Sequence, residues 1–64
     1  MAEDLYKRIT AMIEANGGEF VRMAKGSHAI WRGGNGRKTV VPKTLKKRHM
    51  ANAILKQLDI DEKI

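Results

Sequence analysis

Cysteine is absent from the 64 residues, which excludes disulfides and thiolate metal sites and permits a reducing compartment. The two histidines present cannot complete a zinc site within one chain. No apolar run approaches the roughly 18 residues of a membrane-spanning helix, and the amino terminus alternates charged with apolar residues where a leader would have its apolar core. The expectation is an intracellular, cytoplasmic chain with no membrane partner. Acidic residues are missing from the whole of residues 20–58, a stretch that carries ten cations: Arg22, Lys25, Arg32, Arg37, Lys38, Lys43, Lys46, Lys47, Arg48 and Lys56. The carboxylates are confined to the ends, so the middle of the chain is a positive field of the kind that attracts a phosphate backbone. A nuclease using Mg²⁺ needs several carboxylates converging on the ion, and the central region has none to offer. The glycine-rich run Gly33-Gly34-Asn35-Gly36-Arg37 lacks the Lys-Ser/Thr continuation of a phosphate-cradling loop. No metal or cofactor is expected.

What is present fits one domain spanning residues 1–64, near the lower size at which a single core holds without staples. Leu5, Ile9, Met12 and Ile13 recur at helical spacing and predict a first helix from about Ala2 to Ala15, with Glu3 and Asp4 in its first turn complementing the macrodipole. Asn16-Gly17-Gly18 ends it. Glu19 to Ala24 reads as a first strand whose apolar members are Phe20, Val21 and Met23. Lys25-Gly26 breaks it, a second strand follows from about Ser27 to Arg32, and residues 33–36 form a hairpin loop. Lys38 to Val41 make a third strand that Pro42 ends. Met50, Ala51, Ile54, Leu55 and Leu58 predict a second helix over about Lys47 to Leu58, after which Asp59 to Ile64 either dock through Ile60 or fray. The fold class is therefore α+β: a three-stranded antiparallel sheet with two helices on one face and the other face open.

His28, which follows a Gly-Ser pair at the mouth of the second strand, is the first candidate for chemistry. Histidine takes and gives protons near neutrality. RNA supplies its own nucleophile, the 2'-hydroxyl, so its cleavage needs only a base, an acid and a cation to steady the phosphorane. Lys25, Lys43 and Arg48 are the nearby cations, and the missing side chain of Gly26 lets a phosphate come close. The residues alone leave His28 either catalytic or a packed structural histidine. His49, at the start of the second helix, either touches a phosphate or caps the helix in solvent. Trp31 and Phe20 either stack bases or belong to the core.

The run Lys25-Gly26-Ser27-His28, with Trp31 three residues on, followed by Gly36-Arg37, Val40-Val41-Pro42 and the helix Arg48-His49-Met50-Ala51-Asn52-Ala53-Ile54-Leu55-Lys56-Gln57, resembles the HicA toxins. The likeness runs in the same order from the first helix through Ile60. It implies a fold like the double-stranded-RNA-binding domain and a ribosome-independent mRNA interferase, a metal-independent endoribonuclease. The family's essential histidine falls on His28. The implied partners are an mRNA substrate, bound through Lys25, Ser27, Arg32, Lys43, Lys46, Lys47, Arg48 and His49, and a HicB-like antitoxin that covers the site of an otherwise monomeric toxin. Three positions depart from the pattern. Gly18-Glu19 stand where many relatives have an aromatic, Lys43-Thr44 follow Pro42 where many have a histidine, and Ala29 follows His28 where an acid is common. The competing expectations are a non-catalytic nucleic-acid-binding module and a basic protein whose polyanion is an acidic protein.

Overall fold

A computed structural model describes residues 4–64 in the order α1 (Leu5–Ala15), β1 (Glu19–Met23), β2 (His28–Arg32), β3 (Lys38–Pro42), α2 (Arg48–Gln57). The strands form one antiparallel sheet in the order β1-β2-β3.

Ala2 and Glu3, assigned by periodicity to the first helix, lie outside the described residues. Asp4 stands just before the helix and caps it, its carboxylate accepting from the Lys7 amide at 3.1 Å. Replacing Asp4 with alanine orphans that amide, and the expected loss is about 1 kcal/mol in a denaturant melt. At the other end the Gly18 amide donates to the Ile13 carbonyl (2.8 Å) and Gly17 to Glu14 (3.1 Å), a Schellman closure that Gly17 allows with φ of +84°.

α2 starts one residue later and stops one earlier than its periodicity suggests, because Lys47 and Leu58 serve as its caps. Its carboxyl end closes in the same way as that of α1: Ile60 donates to the Leu55 carbonyl and Asp59 to Lys56, with Asp59 in the left-handed region at φ +57°. That closure turns Ile60 into the core, so the tail docks.

The sheet departs from simple alternation in two places. β1 is interrupted between Phe20 and Arg22, where one extra residue, Val21, enters the strand and changes which face the following side chains take. β3 runs one residue further than expected, because Pro42 still pairs with His28. The amides of Lys43 and Gly33 donate to the carbonyls of Ser27 (2.8 Å) and Arg37 (2.8 Å). This parity points the backbone groups of Thr39 and Val41 at β2 and those of Lys38, Val40 and Pro42 outward. Proline is tolerated at position 42 because no ladder bond is asked of it there.

Both helices pack on one face of the sheet. Leu5, Ile9 and Ile13 of α1 meet Ala51, Ile54 and Leu55 of α2 over Ala29, Trp31 and Val41, with Leu45, Leu58 and Ile60 sealing the ends. Trp31 is core: it is 6% exposed and its indole N–H donates to the Tyr6 hydroxyl at 3.4 Å. Phe20 meets it edge-on at 5.7 Å and remains 46% exposed. Met50, placed in the apolar stripe by spacing, is 46% exposed and flanks the core instead.

Candidate nucleic-acid interface

Cross-strand partners share a face, so the helix-free side of the sheet carries Arg22, His28, Ile30, Arg32, Lys38, Val40 and Pro42, with Glu19 at its corner. His28 stands at one end of this surface. It is exposed, and among the described residues its imidazole has no hydrogen-bond or ion-pair partner. The pair it forms with Pro42 is one that exchanges no backbone bonds, which brings the two Cα atoms to about 4.5 Å.

Two connections meet beside it. The turn of residues 25–27 is closed by the Ala24 amide on the His28 carbonyl (2.7 Å) and bends at Gly26, whose φ is +66°. A Cβ built on Gly26 would touch nothing within 4 Å, so the turn that leads into His28 borders open space. The linker from β3 to α2 is tied to that turn by the bond from Lys43 to Ser27. Its buried Leu45, whose amide donates to the Pro42 carbonyl (3.0 Å), anchors it and leaves Lys43, Lys46 and Lys47 exposed. Lys25, Ser27, His28 and Lys43 are thus joined through two tied connections at one end of the sheet. Lys46 and Lys47 continue that border toward Arg48. Among the described residues none of Lys25, Lys43, Lys46 and Lys47 has a carboxylate partner.

Two residues singled out from the sequence stand elsewhere. Arg32 shares the open face but lies at the far end of β2, about 13 Å along the strand. It is ion-paired there with Glu19 at 3.4 Å, with side chains 42% and 68% exposed, a bridge of little energetic weight. His49 lines a separate cleft of about 710 Å³ between α2 and the tail, with Asn52, Lys56, Asp61 and Glu62. Arg22, one of the ten central cations, joins the open face without any motif to mark it. Strict alternation would set it on the same face as Phe20, whereas the bulge at Val21 moves it to the open face opposite Ile30. Ala29 is fully buried under the helices opposite Val41, so any side chain at that position faces away from His28.

Among the described residues no three His, Asp or Glu side chains converge as a metal site would require, and no helix is long and apolar enough to cross a membrane. In comparison with known families, the model described as HicA toxin of bacterial toxin-antitoxin matches residues 6–60. Neither the comparison with curated proteins nor that with solved structures returned a match.

Proposed function

Because the chain belongs to the HicA toxin family, and so is the toxin of a toxin-antitoxin system, we propose that it is a cytoplasmic, metal-independent endoribonuclease that cuts mRNA through His28. The 64 residues act as one domain, a monomer when free, and a HicB-like antitoxin silences it. The observation that carries this reading is the unpartnered, exposed imidazole of His28 between the open Gly26 turn and the lysine border of the linker.

The chemistry follows from what these side chains can do. A base takes the proton of the 2'-hydroxyl, O2' attacks phosphorus, the bond from phosphorus to O5' breaks, and an acid returns a proton to O5'. His28 is the proton-transfer group. The ammonium of Lys43, with that of Lys25, offsets charge on the phosphorane oxygens. Ser27 hydrogen-bonds the phosphate, and Lys46, Lys47, Arg48, His49 and Arg32 hold the strand on either side. Residue 29 supplies no carboxylate to this site, because its side chain belongs to the core.

A fluorescently labelled mRNA fragment incubated with the purified protein in excess EDTA tests the proposal. Cutting at the rate seen without chelator is expected. Loss of cutting in EDTA overturns the metal-free mechanism, and intact RNA in both conditions overturns the nuclease. Binding is expected to weaken with salt, at a slope of about −0.7 per phosphate neutralised on a single strand. Replacing both Lys46 and Lys47 with alanine is expected to make that slope shallower by about 1.4, measured by fluorescence anisotropy across a salt series.

A further inference from the structure

β3 is an edge strand with a continuous register of five pairs to β2, and among the described residues no strand covers its other side. The parity set by the bonds at Lys43 and Gly33 leaves the N–H and C=O groups of Lys38 and Val40 directed outward, four hydrogen-bonding groups in a row. The Pro42 carbonyl is already taken by the Leu45 amide, and this bounds the free stretch at one end. Beside it runs a groove of about 550 Å³ between β3 and α2, lined by Lys38, Val40, Pro42, Met50, Ile54 and Gln57. Met50 is 46% exposed on the helix side of that edge and Val40 47% exposed on the open face, so an apolar side chain flanks the free ladder on each side. The opposite edge of the sheet is different: β1 is broken by its bulge, the usual device that spoils an edge for pairing.

We infer that β3 receives an extended, acid-flanked segment of a partner protein as a fourth strand. The inference rests on the reading of the chain as the partnered half of a toxin-antitoxin pair. Charge identifies the occupant. Lys38 stands at one end of the free ladder and Lys43 at the other, so an incoming strand gains from a carboxylate at each end and an apolar residue opposite Val40. A second copy of this chain is disfavoured, because antiparallel self-pairing about Val40 would bring Lys38 of each copy next to Lys43 of the other. RNA has no ladder to pair and gains little from the valine and methionine that flank the edge. The added strand would lie about 4.8 Å from β3 and roughly 10 Å from the backbone of His28. Its alternate side chains would extend across the open face over Val40 and Pro42, so occupation of the edge closes the approach to the imidazole.

The test titrates the ¹⁵N-labelled full chain, to millimolar concentration, with a seven-residue synthetic peptide of alternating valine and threonine ended by glutamate on both sides. Saturable shifts are expected at the amides of Lys38 and Val40 and not at Arg22 or Met23. The same peptide ended by lysines is expected to bind about tenfold more weakly. Val40→Pro removes an outward N–H that β2 does not use, and is expected to keep a dispersed spectrum and lose the peptide. Should that variant fail to fold, Lys38→Glu serves instead, with the preference shifting toward the lysine-ended peptide. The inference is overturned by the absence of saturable shifts, by shifts centred on β1, by equal binding of the two peptides, or by a ten-nucleotide RNA moving the Lys38 and Val40 amides in their place. RNA cleavage measured on the same sample separates the two readings. Cutting without peptide binding removes the strand-addition site alone, and peptide binding without cutting removes the nuclease alone.

Discussion

Replacing His28 with alanine is expected to slow RNA cleavage by about 10²- to 10⁴-fold, the share a positioned proton-transfer group contributes. The fold should scarcely notice. The side chain is exposed, has no hydrogen-bond partner among the described residues, and projects from the face that the helices leave open, so the expected change in stability is within about 0.5 kcal/mol. RNA affinity should also hold, because the lysines at positions 25, 43, 46 and 47 remain and phosphate contacts dominate non-specific binding. The result to look for is therefore a split: unchanged anisotropy titration and thermal melt, with cutting lost. Partial recovery of cutting in added imidazole would tie the loss to the missing ring. A variant that cuts like the parent removes His28 from the chemistry, and one that fails to bind or fold shows the histidine to be structural.

The second large effect belongs to the core. Leu55 is completely buried in α2, and its carbonyl also accepts the Leu58 and Ile60 amides that close the helix, so Leu55→Ala opens a cavity under both the helix and the docked tail. Such truncations cost about 2–5 kcal/mol, and a single core in a chain this short rarely supplies more than about 3–5 kcal/mol in total. The variant is expected to be largely unfolded at 37 °C by circular dichroism. Met50→Ala, at the first position of the same predicted stripe but 46% exposed, is expected to change stability by no more than about 0.5 kcal/mol. A large loss at Met50 with a small one at Leu55 would contradict the packing described above.

That contrast also marks what the sequence makes legible. Helical spacing identifies both helices, short apolar runs bounded by glycines and Pro42 identify the three strands, and the buried set Leu5, Ile9, Ile13, Ala51, Ile54 and Leu55 follows from the helical spacing. Spacing is blind to where a stripe meets its edge, and this is why Met50 reads as core and is not. A bulge is equally invisible: one extra residue at Val21 moves Arg22 to the open face, and no local residue type announces it. The glycines of the hairpin loop read as turn formers, yet of Gly33, Gly34 and Gly36 only Gly36 has a positive φ, +86°. Gly34 is required for another reason, since a Cβ there would run into the backbone carbonyl of Asn16. Such close approach arises from tertiary packing of the helix end on the loop and has no sequence signature.

The candidate site divides in the same way. Gly26-Ser27-His28 stands out because a histidine beside a glycine turn has an evident chemical use, and Lys43 joins it through the register of β2 with β3. Charge and resemblance single out Arg32 and His49 as well, and the fold sets both away from the imidazole. The strand length carries Arg32 to the far end of the sheet, and the packing of the tail on α2 gives His49 a cleft of its own.

The central claim is that His28 moves protons for a 2'-hydroxyl attacking the adjacent phosphate. It is tested most directly by the chemical identity of the ends left on a short RNA cut by the purified protein in EDTA, read by mass spectrometry. A 2',3'-cyclic phosphate on one fragment and a 5'-hydroxyl on the other, with no cut when the ribose at that position is 2'-deoxy, is the predicted result. A 5'-phosphate and a 3'-hydroxyl, or cutting that persists at the deoxy position, would contradict it.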